Sequence, residues 1–96
     1  MIDKAQSRRI RKQIHDVLLE TWDPIGIKDE PNAQDEYDGY IGKLYDLLTS
    51  GASDSEIMDY LHWSVYETIG LDATRDDMLP TLSELRKIDV SLLERQ

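Results

Sequence analysis

No cysteine occurs in these 96 residues, which excludes disulfides and thiolate metal sites and suits a cytosolic setting. Long apolar runs are missing too. Nothing approaches the roughly 20 consecutive apolar residues that a membrane span needs. The opening MIDKAQSRRIRKQ turns polar within three residues and builds no signal-peptide h-region. A soluble, cytoplasmic protein without a membrane partner is the expectation. Catalytic signatures are equally scarce: there is no P-loop, no dinucleotide fingerprint and no nucleophile–base motif. Strand patterns, internal repeats and low-complexity tracts are also missing.

What is present is charge, unevenly distributed. The formal net charge is −9. Residues 1–12 carry five bases (Lys4, Arg8, Arg9, Arg11, Lys12) against Asp3, a net of +4. Residues 13–96 carry six bases against nineteen acids, a net of −13. An acidic body repels nucleic acid and favours basic partners, although acids also serve simply to keep a small domain soluble. The bases near the N-terminus oppose a helix macrodipole, so they need another reason to be there. Pairing with acids of the body is one reason, and a basic handle for an anionic surface is the other. A chain of this length makes a single domain with one core, burying about 60–65% of the surface its unfolded form exposes.

Hydrophobic periodicity predicts four helices, over about residues 3–21, 33–49, 54–69 and 76–88, with residues 89–96 a tail that extends the last helix or frays. In the first, Ile10, Ile14, Val17, Leu18 and Thr21 share a face. In the second, Tyr37, Tyr40, Ile41, Leu44, Leu47 and Leu48 do so, with Gly39 and Gly42 opposite, flanked by Asp35 and Asp46. Each interior glycine costs about 1 kcal/mol relative to alanine. The third opens on a Ser53–Glu56 capping box and turns Ile57, Leu61, Ser64, Val65 and Thr68 inward. Trp63 and Tyr66 fall on its far face beside Asp59. In the fourth, Met78, Leu79, Leu82, Leu85 and Ile88 face the core, and a start near Asp76 or Asp77 leaves Pro80 in the first turn. Short connections then favour an all-α, antiparallel four-helix bundle.

The stretch WDPIGIKDEPNAQDEYDGYI, residues 22–41, separates the first two helices. Trp22 closes the core, Asp23 can fold its carboxylate onto a backbone N–H two residues on, and Pro24 fixes φ for a turn. Gly26 permits positive φ, so that Ile25 and Ile27 alternate around it as anchors. Asn32 is the expected N-cap of the second helix, with Asp35 in the capping-box position. Trp22-Asp23-Pro24-Ile25-Gly26 followed by Asp35-Glu36-Tyr37 resembles the shared pattern of a small uncharacterised bacterial helical-domain family. The likeness covers about residues 10–71 and includes a third helix ending in a glycine, here Gly70. Some proteins of that kind look like immunity-type partners of bacterial toxins, and the resemblance therefore implies a protein partner.

Candidate chemistry is thin. His15 and His62 lie on different helices, outside any HExxH spacing, and read as solvated surface groups. Asp35, Glu36 and Asp38 lack the alternating ligands and central glycine of an EF-hand loop. No metal and no other cofactor is expected. A non-enzymatic protein-binding module follows, with Trp63, Tyr66, Asp59, Asp35 and Asp46 as the expected partner-binding residues and Trp22, Asp23, Pro24, Gly26, Asp35 and Tyr37 as a structural motif. The alternatives are a small metal-dependent hydrolase using Asp35, Glu36, Asp38 and His15, or a DNA mimic whose acids occupy a nucleic-acid-binding protein. The competing fate for Trp63 and Tyr66 is cover by the tail through Leu92 and Leu93.

Overall fold

A computed structural model describes residues 4–24, 26–27, 29–31 and 35–90. It is a four-helix bundle, and no strand occurs among the described residues. Helix α1 (Lys4–Val17) continues as a π-helical segment, Leu18–Trp22. Helix α2 spans Asp38–Thr49, and α3 (Asp54–Trp63) continues as a second π-helical segment, Ser64–Ile69. A 3-10 turn, Arg75–Met78, leads into α4 (Leu79–Arg86). Helix α1 packs on α2 and α4, and α3 packs on the same two.

The core follows the apolar stripes, with a shift at the end of α1 that the local helix type explains. Ile10, Ile14 and Leu18 are fully buried, as their spacing requires. The wider π turn then brings the consecutive Leu18 and Leu19 inward, together with Trp22, while Thr21 is only half-buried. In α4 the stripe keeps ordinary α-helical spacing, and Leu79 lies one residue, about 100°, off it. Met78 points inward, Thr81, Leu82 and Leu85 follow it, and Leu79, expected in the core, is 50% exposed. Pro80 occupies the second position of α4, where its missing N–H leaves no intrahelical bond unmade. The Asp77 carboxylate accepts the Thr74 N–H at 3.0 Å and closes the start of that turn. Ser53 Oγ accepts the Glu56 N–H at 3.2 Å and caps α3.

Helix α2 starts later than its apolar pattern suggests. Asp35 to Tyr37 form a turn, so the helix opens at Asp38 without a side-chain cap. Asp35 therefore lies before α2 and not on its glycine-bearing face. Asn32 and Ile25 lie outside the described residues, as do the Thr68 side chain and residues 91–96. Tyr37 is buried from the turn, whereas Tyr40, Ile41 and Leu47 are half-buried on the helix.

Two of the five N-terminal bases, Arg9 and Arg11, are engaged by neutral groups. Arg9 donates to Gln6 at 2.6 Å, to Gln13 at 3.1 Å and to the Asp89 carbonyl at 3.0 Å. The Arg11 guanidinium lies 4.2 Å over the Tyr45 ring, and Lys12 pairs with Asp16 in its own helix. Among the described residues, arginine ion pairs between elements come instead from the C-terminal half. Arg75 meets Asp59 at 2.6 Å and Arg86 meets Asp54 at 2.7 Å, tying the last two elements to α3.

A methyl group added at Gly39 or Gly42 would meet no atom within 4 Å, and neither residue has positive φ. Gly39→Ala and Gly42→Ala are each expected to raise stability by about 1 kcal/mol in urea unfolding. A loss of stability in either variant would show that these positions are packed.

Candidate partner-binding face and groove

The corner after α1 is built on Asp23. Its φ of 27° is a left-handed conformation that aspartate tolerates better than bulkier residues. This conformation lets its backbone N–H reach the Leu18 carbonyl at 2.7 Å and turns its carboxylate back over the loop. One carboxylate oxygen, Oδ1, accepts the Ile27 N–H at 2.7 Å and the Tyr37 hydroxyl at 2.9 Å. A backbone bond from this carboxylate thus reaches four residues on, past Gly26 at φ 68°, while the bond expected two residues on falls on Ile25, outside the described residues. Trp22 packs edge-on against Tyr37 and Tyr40, each at a centroid distance of 5.3 Å. These contacts give the first and second halves of the sequence motif one shared structural role.

The outer side of α3 carries an aromatic ridge. Trp63 is 53% and Tyr66 55% exposed. Trp63 stacks on Tyr60 at 6.3 Å, and Tyr66 lies against His62 at 6.2 Å. Burial pushes the Tyr60 hydroxyl above its ordinary range, with a hydrogen bond to Ser64 partly offsetting it. His62 is more than a solvated histidine: Nε2 lies 2.8 Å from the Ala73 carbonyl, the geometry of an N–H donor at that atom. It pins the segment after Gly70 to α3. Asp59, grouped with Trp63 and Tyr66 from the sequence, does share their helix, but its carboxylate is taken by Arg75. Asp35 and Asp46 are exposed on other elements, the turn before α2 and α2 itself. The described start of the tail turns to the core, where Ile88 and Val90 pack. Leu92 and Leu93 lie outside the described residues.

Beside the ridge is a groove that sequence reasoning did not find. Its volume is about 220 Å³. Trp22 and Pro24 from the end of the first π segment form part of it, and Val65 and Leu71 from the second form another. Ala73, Met78 and Pro80 complete the apolar lining. Two of the lining residues are charged, Asp72 and Asp77, and both are acids. Asp77 keeps one oxygen on the Thr74 N–H, whereas Asp72 makes no hydrogen bond or ion pair among the described residues. Trp22 Nε1, on a ring that lines the groove, is the buried side-chain polar atom left without a partner among the described residues. The groove draws on three separated stretches of chain, and only the LDATRDD run around Asp72 hints at it in the sequence.

The carboxylates considered for metal chemistry do not converge. His15 lies 3.4 Å from Asp16 and 3.9 Å from Asp38. Asp35 and Glu36 lie in the turn before α2. No group of three or more His, Asp or Glu among the described residues is arranged to hold a metal ion. No helix among them is long and apolar enough to cross a membrane. Comparison of the chain with protein-family models, curated proteins and solved structures returns no match.

Titration with Mg²⁺, Mn²⁺, Ca²⁺ or Zn²⁺ is expected to leave the melting temperature unchanged, since only an ion that prefers the folded state raises it. A rise that saturates with one of these ions and disappears in Asp38→Asn would establish a metal site at this end of α2.

Proposed function

We propose that this protein is a small acidic protein-binding module, of the immunity type that neutralises a basic toxin partner. The observation that carries this reading is the exposed aromatic ridge, Trp63 and Tyr66, on an otherwise acidic body. Tryptophan and tyrosine bury large areas for little loss of side-chain entropy and are over-represented among residues that dominate binding energy. Acids around them speed the encounter with a basic surface and discriminate against acidic ones. The resemblance carried by Trp22 to Gly26 and Asp35 to Tyr37 supports the same class, in a bacterial, cytoplasmic setting.

The other readings have less support. A DNA mimic needs an unbroken row of bare carboxylates, and on α3 both Asp54 and Asp59 are engaged by arginines. A metal-dependent hydrolase needs converging ligands, and His15 brings together only a pair of acids.

The partner is to be isolated by affinity capture and its binding measured with purified components. Trp63→Ala is expected to weaken that binding by about 2 kcal/mol or more, which is roughly thirtyfold. Asp46→Lys is expected to slow association chiefly at low salt. Capture of no protein, or equal binding by Trp63→Ala and Tyr66→Ala, would contradict the proposal.

A further inference from the structure

We propose that the groove between the two π-helical ends receives an arginine side chain presented by the protein partner. This inference rests on the protein-binding reading and specifies its chemistry. Four observations carry it. The groove is apolar along its sides, from Trp22, Pro24, Val65, Leu71 and Met78, yet both of its charged residues are acids. Asp72 has no basic partner among the described residues; the same is true of Asp46, Glu67 and Asp76, but of these four acids only Asp72 lines the groove. Leu71, on the groove, is 40% exposed, an apolar side chain open to a partner. His62 bonds the carbonyl of Ala73, another lining residue, and contacts Tyr66, so ridge and groove are held in one fixed arrangement.

A long basic side chain matches that combination. Its aliphatic stem lies along apolar walls while the charged head meets a carboxylate at the rim. Arginine suits the site better than lysine because a guanidinium is more weakly hydrated and pairs with carboxylates through two N–H groups. A groove of about 220 Å³ has room for one such side chain. Tyr66 then contacts the backbone that carries the arginine, which joins the two features into a single recognition surface.

The test uses the whole protein labelled with ¹⁵N and the blocked tripeptide N-acetyl-Gly-Arg-Gly-amide at low ionic strength. Its citrulline counterpart, which is neutral and nearly the same shape, is the control. The expected result is saturable shifts concentrated on the Trp22 indole N–H and the amides of Leu71, Asp72 and Ala73, with none from the citrulline peptide. Asp72→Asn is expected to weaken the arginine peptide about fivefold, the size of one partly exposed ion pair. That substitution removes no contact within the fold, so its melting temperature is expected to stay at the wild-type value. Shifts spread evenly over the acidic surface, or unaffected by Asp72→Asn, would overturn the inference. So would sedimentation that shows a dimer of this chain lost in Asp72→Asn, since the occupant would then be a second copy. A partner protein that binds wild type and Asp72→Asn equally, while Trp63→Ala fails, would overturn the groove assignment and leave the protein-binding reading intact.

Discussion

The structure depends on one carboxylate oxygen. Asp23 Oδ1 accepts both the Ile27 N–H and the hydroxyl of the fully buried Tyr37. A buried hydroxyl without a partner costs about 1–3 kcal/mol, so Tyr37 can enter the core only where an acceptor is waiting. The acceptor in turn is available only because the chain leaves α1 through a π turn and a positive φ at Asp23. Tyr37 then seats Trp22, and Trp22 closes the top of the core between α1 and the start of α2. The Trp-Asp-Pro-Ile-Gly and Asp-Glu-Tyr segments, thirteen residues apart between Trp22 and Asp35, meet at this point.

That corner also determines what the surface can do. By fixing Trp22 and Pro24, it makes one side of the groove. The second π segment, ended by Gly70 at φ 85°, makes the other. Both helices thus end in the same way, with a residue of positive φ whose N–H returns to the carbonyl five residues back. Such wide turns are costly and recur at functional sites. Here they splay the chain enough to leave a recess between them. The motif, dense in Trp, Asp, Pro, Gly and Tyr, has the look of an active site. Its residues instead stop a helix, turn the chain and satisfy one another, and we propose that recognition belongs to the surfaces they hold in place.

The bundle itself was legible from periodicity: the stripes of α1, α3 and α4 account for Ile10, Ile14, Leu18, Ile57, Leu61, Val65, Met78, Leu82 and Leu85. What periodicity misses is any change in helix type, because it assumes a constant turn. Leu19 is buried for that reason, whereas Leu79 is exposed because it lies about 100° off the stripe of Met78, Leu82 and Leu85. Asp35 was misplaced onto α2 because a run of acids and tyrosines fits a first helical turn as well as the tight turn that actually precedes Asp38. The exposed Trp63 and Tyr66 were readable from their place opposite the stripe of α3. The groove was not, since its walls come from the ends of three elements and no local pattern encodes their meeting. Arg75 and Arg86 illustrate the same limit: their partners, Asp59 and Asp54, are sixteen and thirty-two residues away.

A double-mutant cycle tests the central claim most directly. Urea unfolding of wild type, Asp23→Ala, Tyr37→Phe and the double variant gives the coupling between the two side chains. The account predicts that each single change destabilises and that the pair is coupled by about 1 kcal/mol or more, since either change alone already breaks the shared hydrogen bond. Strict additivity, or an Asp23→Ala variant as stable as wild type, would contradict it.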